Sequence, residues 1–128
     1  MNVQNMQSLA QALTSGGYIE TTPSHALRSK DTKGNYQYMV IGVMADVYIT
    51  HNPNLAYWEP DADVRFPSKF ILRSNGEPWR LDIPQEVLEW YGLTREQSNQ
   101  LWVMSARGYT FQQIGEAIIR SIKVGKKG

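Results

Sequence analysis

The chain of 128 residues contains no cysteine, carries almost balanced charges and has no long apolar run. Without cysteine it has no disulfide, no thiolate zinc site and no thiol nucleophile, and the absence is compatible with a reducing cytosol. Thirteen basic against twelve acidic side chains argue against a dedicated nucleic-acid or membrane-surface protein, whose affinity depends on excess positive charge. No apolar run approaches the roughly 20 residues of a membrane-spanning helix, so we expect no membrane association.

Catalytic and metal-binding patterns are also scarce. The sequence has no glycine-rich phosphate loop and no nucleophile elbow. His25 and His51 are its only histidines, and they lack metal-ligand spacing. The acidic residues Glu59, Asp61 and Asp63 lack the turn glycine and the distal glutamate of a calcium loop. We therefore expect no metal and no cofactor, and the case for an enzyme is weak.

Residues 83–122 predict three short helices. Pro84 opens the first, because a proline at a helix start loses no hydrogen bond, and Gly92 ends it in a left-handed conformation. Capping-box patterns at 94–97 and 110–113 open the other two. The second helix is expected to turn Leu101, Trp102 and Met104 inward.

Residues 107–115 look like the first helix of a helix-turn-helix, a motif that reads DNA with its second helix. The helix that this segment opens is expected to reach residue 122, and the segment 123–128 beyond it is short and glycine-rich, so we expect a disordered basic tail there. Specific binding to duplex DNA is therefore not expected.

The remaining segments predict one more helix and a small sheet. Residues 3–13 predict a helix with an apolar stripe along one face, and the helix ends at Gly16-Gly17. Residues 26–38 read as a hairpin, and 69–82 as another around Asn75-Gly76. The apolar run 39–49 fits a strand or a helix, and we favour a buried helix entered from a strand. The sequence thus predicts an α+β fold: a small antiparallel sheet with an N-terminal helix and three short C-terminal helices, in one domain over 1–122.

Aromatic and arginine residues concentrate in the middle of the chain. Rings and guanidinium groups together can hold a planar anion or anchor a partner protein. The sequence is consistent with a site made of Arg73 and Trp79 from opposite strands of the second hairpin, with Arg28 as a second charge and the Trp58 loop as the next candidate. The alternative interpretation is that the rings belong to the core and the arginines to the surface.

Several segments together resemble a family of small proteins encoded by bacteriophages. The counterparts in this chain are Gly17-Tyr18, Leu27-Arg28, 39–46, Trp58, 83–87, Trp90, Gly92-Leu93, 104–111 and Ile114-Gly115. The chain departs from that family in lacking the cysteines of its apolar run and in having Ser105-Ala106 at the place of an Asn-Asp pair. The resemblance implies a phage accessory protein that acts on a host system in the bacterial cytoplasm.

These observations favour a binding protein for counter-defence or host takeover. The leading hypothesis is sequestration of a small nucleotide signal, for which a homo-oligomer would be suitable. One alternative is an inhibitor that binds a host enzyme through the same middle surface or through the Trp58 loop. A second alternative is a nucleotide-cleaving enzyme that uses His25 or His51.

Overall fold

Five helices and six short strands make up the described part of this computed structural model, which covers residues 1–21, 26–61 and 69–127. The helices are α1 Val3–Thr14, α2 Val40–His51, α3 Gln85–Tyr91, α4 Arg95–Ala106 and α5 Phe111–Lys127. The strands are β1 Ile19–Glu20, β2 Arg28–Lys30, β3 Tyr36–Tyr38, β4 Ala56–Pro60, β5 Lys69–Ser74 and β6 Glu77–Trp79. The α+β class, the N-terminal helix and the three C-terminal helices are confirmed.

The strands form one sheet in the order β1-β3-β2-β5-β4, and β6 also pairs with β5. Every pair is antiparallel except β1 with β3, so the sheet is mixed where the sequence predicted an antiparallel one. The parallel pair arises because β1 lies beside β3 and not beside its sequence neighbour β2. Strand β5 is the centre of the sheet, since it contacts β2, β4 and β6.

The apolar run after β3 is a helix, which is the favoured one of the two predicted alternatives: β3 ends at Tyr38 and α2 begins at Val40. Most of α2 is buried, with Val40, Val43, Met44 and Ala45 fully inaccessible to solvent. A helix that is apolar on nearly all sides belongs in the interior of a protein. Helix α2 therefore forms the middle of the core, where it contacts strands β3 and β4 as well as helices α1, α3 and α4.

The second hairpin turns at Asn75 and Gly76, as the sequence predicted. Their φ angles of 50° and 84° are those of a two-residue turn with left-handed central residues. The turn pairs Ser74 with Glu77, which places Leu72 opposite Trp79. This register decides which face of the sheet each side chain of the hairpin occupies.

Capping boxes open both α4 and α5. Thr94 and Gln97 exchange hydrogen bonds of 2.9 and 3.1 Å between side chain and backbone. Thr110 and Gln113 do the same over 2.9 and 3.1 Å. Gly92 ends α3 with φ 69°. Both predicted capping boxes and the glycine stop are confirmed.

Helix α5 packs on α1 and bears the predicted apolar stripe, with Ile114, Ile118 and Ile122 buried. Its backbone stays helical to Lys127, over residues where the sequence predicted a disordered tail from 123 onward. Residues 123–127 continue α5 because extending an existing helix costs far less than starting one. The domain limits 1–122 remain a prediction.

Helix α4 is the least buried of the helices whose burial is described throughout. Ser98 is its only buried residue, and Leu101 and Met104 are half-buried. Trp102 is 47% exposed, so the prediction that it points inward is wrong. In the described part of the chain, no helix combines the length and the apolar character needed to cross a bilayer.

Candidate functional site

Arg28 lies in the middle of the sheet surface, between two aromatic neighbours. In the register it stands opposite Tyr38 of β3 on one side and Phe70 of β5 on the other. Lys30, two residues further along β2, stands opposite Tyr36. Residues paired across strands point to the same face, and so do residues two apart within a strand. The sheet therefore brings two basic and three aromatic side chains together on one face.

Three aromatic rings surround the Arg28 guanidinium. Its Cζ atom lies 4.0 Å from the ring centre of Tyr36, 4.1 Å from that of Phe70 and 5.1 Å from that of Trp58. The Tyr36 and Phe70 rings meet edge to face at 72°, so the guanidinium occupies the corner between them. We call Arg28, Tyr36, Trp58 and Phe70 the Arg28 cluster. Each cation–π contact contributes about 0.5–2 kcal/mol.

No carboxylate within the part of the chain that the structure describes pairs with the charge of Arg28. Among the described residues it forms no ion pair, and its Nε atom is buried without a hydrogen-bond partner. The Nζ atom of Lys30 lies 5.7 Å from the Tyr36 ring centre, which adds a second positive charge. Burial and the nearby Asp46 raise the pKa of Tyr38, and Arg28 opposes that rise. The cluster is thus a positively charged surface with aromatic walls.

Asp46 of helix α2 fixes the position of Trp58. Its two carboxylate oxygens accept hydrogen bonds from Trp58 Nε1 at 2.8 Å and from the Tyr18 hydroxyl at 2.5 Å. Burial, reinforced by the bond to Asp46, raises the pKa of Tyr18. The Tyr38 ring contacts both donors, at 4.9 Å from Tyr18 and 6.5 Å from Trp58. This network holds the indole beside Arg28.

Arg73 and Trp79 do not form a site together. Trp79 stands opposite Leu72, whereas Arg73 stands opposite Pro78, so the two side chains occupy opposite faces. Arg73 donates from Nε to Glu59 and from Nη1 to the Gly76 carbonyl at 3.0 Å. The predicted pairing of Arg73 with Trp79 is wrong because the two-residue turn sets a different register.

Of the four predicted site residues, the structure brings only Arg28 and Trp58 into contact. Trp79 shares their face of the sheet, since its partner Leu72 lies two residues from Phe70, and it packs half-buried against the core. The sequence did not predict that Lys30 would add a second positive charge beside Tyr36. No local pattern in the sequence indicates that β2 pairs with β5, which is the contact that brings Phe70 to Arg28.

The histidines and acidic residues that the sequence offered for catalysis or metal binding do not form a common site among the described residues. The ring of His51 lies 5.3 Å from that of Trp90, and its Nδ1 donates to the Val47 carbonyl at 2.9 Å because a carbonyl can only accept. Glu59 and Asp61 pair with Arg73 and Arg80. His25 and Asp63 lie outside the described residues, within which no three His, Cys, Asp or Glu side chains converge on a metal site.

Comparison of this chain with protein-family models, curated proteins and solved structures gives no match. The resemblance to phage proteins therefore has no independent support from these comparisons.

Proposed function

We propose that this protein binds a small anion with a planar ring, such as a nucleotide signal, at the Arg28 cluster. The single observation that supports this is a guanidinium held by three aromatic rings and by no carboxylate among the described residues. A guanidinium presents its N–H groups in a planar fork that matches phosphate and carboxylate oxygens. Rings hold the fork in place without neutralising its charge.

Three other arginines differ from Arg28 because each of them forms an ion pair. Arg73 binds Glu59, Arg80 binds Asp61 and Arg95 binds Asp82, so each has a protein carboxylate beside it. An anionic ligand at any of these would compete with that carboxylate. At Arg28 the anion would gain the attraction of a cation that has no competing partner in the described chain, and Lys30 would add to it.

The ring component of the ligand fits Tyr36. This side chain is 42% exposed, so part of its ring remains open although Arg28 and Phe70 cover other parts. Stacking of a base on an aromatic ring contributes roughly 1–3 kcal/mol and tolerates different bases. A nucleotide could then place its base on Tyr36 and its phosphate near Arg28 and Lys30.

The resemblance to phage accessory proteins supports a biological role for such binding. Sequestration of a host nucleotide signal in the bacterial cytoplasm would serve counter-defence or host takeover, and it needs no catalytic group. A homo-oligomer would add binding sites. The rival roles, an inhibitor of a host enzyme and a nucleotide-cleaving enzyme, are separated from sequestration by the experiment below.

The test is isothermal titration calorimetry with a panel of cyclic mononucleotides and cyclic dinucleotides. Arg28→Gln removes the charge, and we expect the affinity for the ligand to fall about tenfold or more, since a charge-assisted hydrogen bond contributes about 1.5–3 kcal/mol. Tyr36→Leu should also weaken binding, because it removes the stacking surface. Arg73→Gln is the matched control, and it should bind like the unaltered protein.

Circular dichroism establishes that each variant is folded, and chromatography of the ligand after incubation shows whether it is cleaved. Intact ligand recovered from the complex supports sequestration, whereas turnover supports the enzyme. If Arg73→Gln abolishes binding and Arg28→Gln does not, or if no nucleotide binds, the proposal is wrong. In the latter case a host protein captured by the unaltered chain would favour the inhibitor.

A further inference from the structure

A cavity that shares no lining residue with the Arg28 cluster lies where strand β1 meets the α4–α5 junction. Its volume is about 420 Å³, which is within the usual range for small-molecule sites. We call it the α4–α5 cavity. The side chains that matter most for its chemistry are Glu20, Thr21, Trp102, Ser105, Tyr109 and Thr110.

Two aromatic side chains in its lining are unusually exposed. Trp102 is 47% and Tyr109 is 45% exposed. None of the ring–ring contacts between described residues involves either of them. Exposed tryptophan and tyrosine at one concave site are typical of binding surfaces, because their faces give up water readily while their polar atoms stay wet. Nearly half of each of these two residues is therefore accessible to a ligand.

The charge of the α4–α5 cavity is opposite to that of the Arg28 cluster. Glu20 is the only charged side chain among the described residues of its lining. No ion pair within the described chain involves Glu20, and the side chain is exposed. In the sheet register Tyr38 separates Glu20 from Arg28, which lies one strand further on. A cavity with aromatic walls and one carboxylate repels phosphates and attracts cations.

We infer that the α4–α5 cavity binds a small organic cation that carries an alkylated ammonium group. The faces of Trp102 and Tyr109 attract such a group through their quadrupoles, tryptophan being the strongest aromatic partner for a cation. Glu20 supplies the compensating charge, and the hydroxyl groups of Ser105 and Thr110 suit a polar substituent on the ligand. This inference is independent of the proposed anion site, since it uses other residues and the opposite charge.

The test compares choline with its neutral carbon isostere 3,3-dimethyl-1-butanol by isothermal titration calorimetry on the full chain. The two probes have the same shape, so the difference in affinity reports the charge alone. We expect choline to bind about tenfold more tightly than the alcohol, the factor that a moderately desolvated cation–π site with a carboxylate provides. Equal affinities, or no binding of choline, would overturn the inference.

Variants locate the binding on the surface. Trp102→Leu, Tyr109→Leu and Glu20→Gln should each weaken choline binding several-fold, and all three positions are exposed, so the fold should survive. Tyr57→Leu is the matched control, because Tyr57 is 55% exposed but belongs to β4 and is not part of this lining. If Tyr57→Leu weakens choline binding as much as Tyr109→Leu, the cation binds elsewhere and the assignment to this cavity fails.

Discussion

Gly42 is the residue at which helix α2 comes closest to the chain that enters β2. A Cβ atom at this position would lie 1.9 Å from the carbonyl oxygen of Leu27 and 2.8 Å from its carbonyl carbon. Both are backbone atoms, which cannot turn aside as the end of a side chain can. At Gly115, by contrast, the nearest atom to an added Cβ is the Thr14 side-chain methyl, at 2.6 Å. The absence of one methyl group at position 42 therefore sets the distance between the helix and the sheet.

We predict that Gly42→Ala lowers the free energy of unfolding by about 2 kcal/mol or more, because overpacking a tight interior forces the backbone to shift. Urea denaturation followed by circular dichroism measures the change. Gly17→Ala is the control: an added Cβ there meets only Ser15 Oγ at 3.4 Å, and the change should stay within about 0.5 kcal/mol. Equal midpoints for the two variants would show that α2 can move away from Leu27 at little cost.

The register of the second hairpin could be predicted from the sequence of its turn. A two-residue Asn-Gly turn leaves Ser74 opposite Glu77, and counting back then places Leu72, not Arg73, opposite Trp79. The information needed for the correct pairing was present in the sequence. The contact of Arg28 with Phe70 is different, because their strands are about forty residues apart and only the folded sheet joins them.

At the scale of elements, local signals predicted the helix ends. A capping box and a glycine stop involve atoms within four residues of each other, so their sequence pattern specifies the structure. The exposure of Trp102 involves no such local signal, since it depends on how much of α4 the remainder of the chain covers. Ser98 is the only residue of α4 that becomes buried.

We predict that Thr110→Ala destabilises the protein by about 1 kcal/mol, because the Gln113 backbone N–H at the start of α5 loses its acceptor. Helix α5 packs on α1 through buried side chains, so this local loss should appear in the global unfolding transition. Thr32→Ala, at an exposed position between β2 and β3, serves as the control. An unaltered urea midpoint for Thr110→Ala would contradict the capping assignment.

At the scale of the whole molecule, four tyrosines make the stability of the fold depend on pH. Burial is the main cause that raises the pKa of Tyr18, Tyr38, Tyr48 and Tyr91 above the ordinary value. The Tyr91 hydroxyl, deepest of the four, donates to the Met44 carbonyl at 2.6 Å. In the unfolded chain these groups lose their protons near pH 10. In the folded chain they keep them, so above about pH 10 the native state binds more protons than the unfolded state.

The contribution of these tyrosines to the free energy of unfolding should therefore be fully present below about pH 10 and should decline as the pH rises above it. We predict a lower urea midpoint at about pH 11 than at about pH 8. Tyr91→Phe has no proton to lose at that position, so its midpoint should decline less between the two values. Tyr57→Phe, at an exposed position, should decline as much as the unaltered protein. A decline that is equal in all three proteins would mean that other groups cause the alkaline effect.

The hydrogen bonds to Asp46 also bear on how the sequence can change over evolution. Tyr18 and Trp58 each satisfy one oxygen of a carboxylate that lies in a mostly apolar helix. A half-buried carboxylate that loses a donor costs more than the lost bond, because its lone pairs have given up water. Single substitutions at positions 18, 46 or 58 should therefore be selected against, while joint replacements are tolerated. Among the descendants of this gene, those three residues should therefore be either retained together or replaced together.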